Sequence, residues 1–362
     1  VDVVPPLGHE LPASRGDKSS LMHPELFEVP IVHLVIRSYG VMMVIGFLSA
    51  VTVIRYLSRH FTSNPQHITN AALYALIAGV VGARTFFVIH YVDQFRNNPL
   101  GVLEIWNGGL ELLGGVLLAI AVILLYIRYH KQPMRHYLDV LAIGLVAALV
   151  FGRIGCFLNG CCYGKPTDLP WGVRFPYGSF AYQSQTRADP QRNRPMPYID
   201  LPESYFGYRD AQGQYTPDLK PMSELTPEQR TLVTQGKYRC RPVHPTQLYS
   251  SAGAVLLGVL LLLALRRSQR GEESGLYPFL ARPGSVFSLM FIGYGIGRFL
   301  MEFIRDDNPF EVASLTISQL LSLGLIVLGI VLMAYFAKAE PERLPILRTT
   351  TAVTRRKTRA RA

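Results

Sequence analysis

Six ionisable side chains stand inside or at the edge of strongly apolar stretches, and their types suggest what they could do. Arg37 lies in "IRSYG", Arg84 in "VVGARTFFVIHY" and Arg153 in "FGRIGCFLNGCCYG". Arg298, Glu302 and Arg305 lie in "GYGIGRFLMEFIRDD". A charge held at membrane depth costs from about 2.5 kcal/mol upward, so each residue needs a reason to be there. Guanidinium matches phosphate in shape and charge and stays protonated at any relevant pH. Several guanidiniums at one depth repel one another unless an anion lies between them. The anion found at that depth is a lipid phosphate. The chemistry implied is recognition of an anionic lipid headgroup.

Arg298 and Glu302 are four residues apart and share a helix face with Tyr294. A structural ion pair, with Arg298 reaching to the interface, is an equally open reading of that stripe. "RPVHPTQLYS" adds His244, Gln247 and Tyr249. His244 could be a base, a donor to phosphate or a helix-cap partner. Glycine clusters in "NGGLELLGG", "GRIGCFLNG" and "GYGIG" allow close backbone approach, to a neighbouring helix or to a ligand. The four cysteines are Cys156, Cys161, Cys162 and Cys240. A bridge tying Cys240 to Cys161 or Cys162, or a set of buried thiols, is the expectation. A metal site and a catalytic nucleophile are the lesser alternatives, because Cys-x4-Cys-Cys matches no common zinc spacing.

The elements that must position these residues are apolar helices. The 362-residue chain is 49% hydrophobic and only 17% charged, below the quarter usual for a soluble domain. The fold class expected is an all-α polytopic membrane protein of seven transmembrane helices. The spans fall near 31–57, 71–91, 109–128, 138–158, 246–265, 284–303 and 314–337, each near the ~20 residues that cross a bilayer. A small extracytoplasmic head, 163–243, is inserted between helices four and five. "DLPWGVRFP" (168–176) is expected as a strand there, with 184–238 irregular or mobile. The remaining divisions are an N-terminal segment 1–30, helices one to four within 31–162, helices five to seven within 244–337, and a basic tail 338–362. The polar N-terminal segment lacks a basic start and an apolar centre, so the first span is expected to serve as its own signal.

Charge sets the expected orientation. Basic residues gather in the links after spans one, three and five and in the tail. These include Arg55, Arg128, Lys131, Arg266 and Arg267. With an odd number of spans the four segments share one side, the cytoplasm. The N-terminus and the head are then outside, and Arg37, Arg84, Arg153, Arg298 and Arg305 lie toward the outer face. The net charge of +11 is read as topology, and no nucleic-acid partner is expected.

With these residues collected, the chain resembles the prolipoprotein diacylglyceryl transferase family, from about Phe27 to Tyr335. "IRSYG" resembles the first-span motif and carries Tyr39. "GAR" resembles the second-span arginine motif and carries Arg84. "GRIGCFLNGCCYG" resembles the family signature Gly-Arg-x-Gly-Asn-Phe-x-Asn-x-Glu-x-x-Gly and carries Arg153, Gly155, Asn159 and Gly164. "HPTQLY" carries His244, Gln247 and Tyr249. "YGIGRFLMEFIR" carries Tyr294, Arg298, Glu302 and Arg305. Cys156 replaces the signature asparagine, Cys161 replaces the glutamate, and Leu113 stands where many members have histidine or tyrosine. These departures leave the base unassigned, with Glu111 and Glu302 behind His244.

The resemblance implies transfer of an sn-1,2-diacylglyceryl group from phosphatidylglycerol to the lipobox cysteine of a prolipoprotein, releasing glycerol 1-phosphate. It places the enzyme in the bacterial cytoplasmic membrane, the lipid bilayer itself being a partner, and implies no cofactor and no metal. The catalytic residues expected are Arg153, Arg298, His244, Glu302 and Tyr39. Those expected to hold phosphatidylglycerol are Arg153, Arg298, Arg305, Tyr294, Asn159, Gly155, Arg84 and Gln247. Two other classes stay in view. A transporter or scramblase of anionic lipid would need polar residues on the inner halves of the spans. A non-catalytic assembly factor would need none of these side chains to meet.

Overall fold

The computed structural model describes residues 25–29, 34–59, 66–96, 99–104, 109, 111–192, 194–209, 215–269, 282–310 and 315–339. The N-terminal segment before residue 25, His60, Arg270 and the basic tail from residue 340 lie outside the described residues.

The chain opens with a hairpin of β1 (Glu25–Val29) and β2 (Leu34–Arg37), paired antiparallel. Helix α1 follows at Ser38–Ser58, then α2 at Gln66–His90 and the single turn α3 at Val92–Phe95. A 3-10 segment, Pro99–Leu103, leads toward α4 (Leu112–Tyr129), and α5 spans Met134–Asn159. A separately cored region then holds α6 (Phe180–Gln185), β3 (Phe206–Arg209), β4 (Tyr215–Leu219) and α7 (Pro227–Thr234). The chain finishes with α8 (Thr246–Gln269), α9 (Ser285–Glu302) and α10 (Ile317–Lys338).

The protein is mostly helical, and α1, α2, α5, α8 and α10 are long and apolar enough to cross a membrane. Helix α4 is apolar but falls short of that length. Helix α9 has 18 residues, about 27 Å at 1.5 Å per residue, and carries Arg298 and Glu302 near its end. Many of their large side chains point outward, including Val44, Leu48, Ile77, Leu256 and Leu321. Such apolar exposure suits lipid rather than water.

Helix α5 is the hub. It packs along α1 and against α8 and α9, and α10 packs along α9. Ile54, Val140, Ile143, Leu261 and Val286 form the core between them. Asp139, buried on α5, accepts hydrogen bonds from the main-chain N–H groups of Gly284 (2.7 Å) and Phe287 (2.8 Å). It thereby satisfies orphan donors at the start of α9 and places a negative charge at that helix's positive end. Helices α2 and α4 form a second pair, touching α1 and α5 far less extensively. Gly82 and Gly114 face each other's backbone there, with no room for a Cβ at either.

Several expectations need correction. The class is not purely α, because two small antiparallel sheets are present. The first span does not begin at 31: "LVIR" is β2, and helix starts at Ser38. A short apolar run cannot by itself distinguish strand from helix. Residues 168–176 make no strand; Val173 only bridges Val243. The described residues of 184–238 are not irregular. Tyr182, Tyr205, Leu219, Leu225 and Val233 converge with Phe157, Phe175 and Cys240 on one core. Scattered aromatics supply that core, so no period in the sequence announces it.

Candidate active site

The C-terminal end of α5 reverses sharply, and the reversal brings the signature residues together. Gly160 adopts φ 75°, a left-handed conformation that glycine reaches without a Cβ penalty, and its N–H caps the helix on the carbonyl of Phe157. Cys162 follows with φ 60°, unusual for a residue with a side chain. The carbonyl of Cys161 accepts from Gln247 Nε2 and that of Cys162 from Thr246 Oγ1, each at 2.6 Å. The start of α8 therefore pins the turn. Folded back this way, the Sγ atoms of Cys156, Cys161 and Cys162 all lie within 4.8 Å of one another.

Arg153 lies one helical turn before Cys156 and points an N–H at Cys162 Sγ, 4.0 Å away. Among the described residues it has no carboxylate partner. Tyr39, 40% exposed at the start of α1, acts electrostatically on Arg153 and on all three cysteines. Gly155 makes room for it, since a Cβ there would stand 3.1 Å from Tyr39 and Met42. Asn159 closes α5 one residue before Gly160.

The end of α9 supplies the other two guanidiniums. Arg298 pairs with Glu302 Oε2 at 2.5 Å and donates to Ser318 Oγ at 2.7 Å. Glu302 is buried, and its other oxygen accepts from Asn308 (2.5 Å) and Thr316 (2.9 Å). So saturated a carboxylate fits positioning rather than proton transfer. Arg305 clasps Asp307 through Nε at 2.8 Å and Nη2 at 2.5 Å, with Glu302 at 3.9 Å. Arg298 interacts electrostatically with Arg305, Arg153 and Tyr294. Three guanidiniums thus meet two carboxylates, leaving one positive charge over.

The separately cored region is fastened to this end of α9. Gly164 bridges Arg305, and the N–H of Lys165 donates to the carbonyl of Ile304 at 2.8 Å. The Arg194–Asp306 ion pair, 3.1 Å, is buried on both sides. Burial pushes the Asp306 carboxyl above its usual range, with Arg194 and Arg192 opposing the shift. Arg192 also donates to the main-chain carbonyls of Asp306 and Asp307.

Other expected residues stand at varying removes. Gln247 is buried, and its Oε1 has no hydrogen-bond partner. An unpaired acceptor of that kind is costly unless a ligand donor meets it. His244 fixes the turn through its backbone: its carbonyl accepts from Gly164 and its N–H donates to Lys165. Its ring lies 3.4 Å from the Tyr249 hydroxyl, which accepts from Trp171 Nε1 at 2.6 Å. Among the described residues, Arg84 is held by other partners than the Arg153 cluster. Its guanidinium donates to the carbonyls of Val102 (2.9 Å), Gly109 (2.9 Å) and Gly101 (2.6 Å) and lies over Phe87 and Phe95. Leu113 is 58% exposed on α4, and Glu111 stands 3.5 Å from His90.

The expected bridge to Cys240 is not formed. All four cysteines are free. Cys240 is sealed in the head core beside Gln185, where burial pushes its thiol up to about 11. Sequence reading missed Asp307, Asn308, Thr316, Ser318, Arg192 and Arg194. Two signals were available: the "DD" directly after Arg305, and the Thr316-x-x-Gln319 capping box that opens α10.

Apolar helices long enough to cross a membrane, with a cluster of guanidiniums where they meet the separately cored region, define a multi-pass membrane protein. Comparison with known proteins specifies it further. The family model described as "Prolipoprotein diacylglyceryl transferase" matches residues 24–335. A phosphatidylglycerol–prolipoprotein diacylglyceryl transferase of Clostridium tetani is 30% identical over 309 residues, 85% of this chain and 96% of that protein. One from Burkholderia multivorans is 30% identical, covering 87% of this chain and 96% of its own. One from Corynebacterium efficiens is 28% identical, covering 85% and 80%. The chain belongs to the prolipoprotein diacylglyceryl transferase family and is a transferase.

Proposed function

We propose that this protein transfers the sn-1,2-diacylglyceryl group of phosphatidylglycerol to the lipobox cysteine thiol of a prolipoprotein, releasing glycerol 1-phosphate. The observation that carries this is the convergence of Arg153, Arg298 and Arg305 with one positive charge uncompensated. A phosphodiester brings one negative charge to that place. All seven long helices cross the bilayer in this reading, with the N-terminus and the 163–243 head outside and the C-terminus in the cytoplasm. Helix α4 and the charged α9 cross by packing on longer neighbours rather than by hydropathy alone.

The reaction joins a sulfur to carbon while phosphate leaves with new negative charge. Arg153 and Arg298 clamp that phosphate and stabilise the charge as it develops; donors fixed in advance are the largest single source of such acceleration. Glu302 and Asp307 position Arg298 and Arg305, so that of these three arginines Arg153 alone enters the site without a carboxylate among the described residues. Tyr39 and Tyr294 hold headgroup or phosphate oxygens, and Gln247 Oε1 receives a headgroup hydroxyl. Gly155 and Asn159 shape the turn. His244, relayed through Tyr249, is the acceptor of the thiol proton among the protein's side chains. Arg84 supports the site from α2 by holding the carbonyls of Gly101, Val102 and Gly109.

The test is incubation of purified protein with phosphatidylglycerol vesicles and a lipobox peptide. A gain of one diacylglyceryl mass on the peptide, with glycerol phosphate released, is expected. A peptide of unchanged mass, with the protein inserted and folded, rejects the assignment.

A further inference from the structure

The three thiols of the signature turn have no role in the mechanism above, and the sequence reading expected no metal. Their geometry argues otherwise. Around Zn2+ with Zn–S distances of about 2.3 Å, ligand sulfurs sit roughly 3.8 Å apart. The Sγ atoms of Cys156, Cys161 and Cys162 lie within 4.8 Å of one another, so small side-chain rotations close the site. Linear spacing hid this, because the reversal at Gly160 and the left-handed Cys162 fold a Cys-x4-Cys-Cys run onto itself. The surroundings suit thiolates. Arg153, without a carboxylate among the described residues, directs an N–H at Cys162 Sγ, 4.0 Å away. The contrast with Cys240 is instructive: that thiol is fully buried, whereas these three are partly exposed.

We infer that Cys156, Cys161 and Cys162 bind a soft divalent metal of the Zn2+ class through three thiolates, with the fourth position open to the acceptor thiol. A three-ligand site with one open position is the arrangement of catalytic zinc, and thiolate ligands select soft metals. A thiol is deprotonated outright on coordination, whereas a free thiol of pKa ~8.5 is only a few per cent thiolate near neutrality. The acceptor S–H gives its proton to His244, relayed through Tyr249, as the S–metal bond forms. The sulfur lone pair then forms the S–C bond to the glyceryl carbon. The C–O bond to phosphate breaks, and its electron pair leaves on the glycerol phosphate oxygen. The thioether, a weaker ligand, dissociates. The metal's oxidation state does not change. The cysteines at the signature's asparagine and glutamate positions thereby activate the thiol themselves. This step rests on the transfer reading; metal binding itself does not.

The experiment uses the full-length protein, reduced and stripped, then titrated with Zn2+ and separately with Co2+. About one metal per chain is expected, with tetrahedral thiolate–Co2+ absorption that shifts when a lipobox peptide is added and not with its Cys-to-Ser counterpart. Cys161→Ser and Cys162→Ser should each weaken binding at least tenfold, while Cys240→Ala leaves it unchanged. Should a serine variant not accumulate, Zn2+ protection of three thiols from alkylation in the unaltered protein gives the same readout. Zn2+ uptake no greater than in a variant lacking all three cysteines overturns the site, as does a disulfide among them whose reduction brings no uptake. An unshifted Co2+ spectrum overturns the open fourth position. Full transfer by metal-free protein overturns the catalytic role and leaves the transferase assignment standing. Metal bound with the spectral shift but no transfer rejects the assignment and keeps the site.

Discussion

Arg84 and Arg153 look alike in the sequence, each in an apolar helix close to glycine, yet the fold treats them oppositely. Arg84 spends its guanidinium on the carbonyls of Gly101, Val102 and Gly109 and rests against two phenylalanines. These three residues lie between α3 and α4. Arg153 faces sulfur and other guanidiniums, with no carboxylate among the described residues. The difference teaches that a charge in an apolar helix marks a ligand site only where the fold leaves its donors for something else. The region around Arg84 is self-sufficient. Around Arg153, Arg298 and Arg305 the described residues leave one positive charge without a carboxylate, the place the proposal gives to the lipid phosphate.

The comparison can be broken or sharpened by substitution. Arg153→Lys keeps the charge and removes the fork, so transfer should fall about 10²-fold or more while the melting temperature in detergent stays put. Near-normal turnover would return Arg153 to the structural class of Arg84. Arg84→Met should do the reverse. Losing the hydrogen bonds to Gly101, Val102 and Gly109 at about 1 kcal/mol each lowers stability by at least about 3 kcal/mol in a denaturation measurement, and activity per folded molecule drops only a few-fold. A loss of activity without loss of stability would place Arg84 at the lipid instead. Asp306→Asn, which loosens the head from α9 by leaving Arg194 without its ion-pair partner, should raise the KM for the lipobox peptide by several-fold with kcat little altered. An unchanged KM would detach the head from substrate handling.

The smallest effect concerns the sulfurs. Burial holds Cys240 neutral up to about pH 11. Because its thiol pKa is raised, the thiolate fraction is smaller than in the unfolded chain at every pH below that. Alkylation of Cys240 in the folded protein should therefore stay negligible at pH 8.5 and rise only toward pH 11. The unloaded Cys156, Cys161 and Cys162 should react first. Equal rates at all four cysteines would contradict the separation between a sealed head core and an accessible turn.

How far the site could be read from the residues varied along the chain. The stripe of Arg298 and Glu302 follows from helical periodicity alone, and the ion pair sits where four-residue spacing puts it. Asp307, Asn308 and Ser318 were not legible as partners, because loop conformation rather than helical period brings them to Arg305, Glu302 and Arg298. The head misled in the same way. Its aromatics have no period, so an ordered core looked irregular, and an apolar "LVIR" looked like helix though it pairs as β2.

Composition and motif order, then, were enough for a membrane protein of many helices, for its family and for the identity of the charged groups. Those properties are local: hydropathy, helical period and residue type reside in short stretches. Which arginine is spent and which is left over, and whether three cysteines meet or scatter, were decided by the tertiary structure. A hydrogen-bond partner or a fellow ligand comes from whatever segment the fold brings within about 3–4 Å, and no local pattern carries that distance.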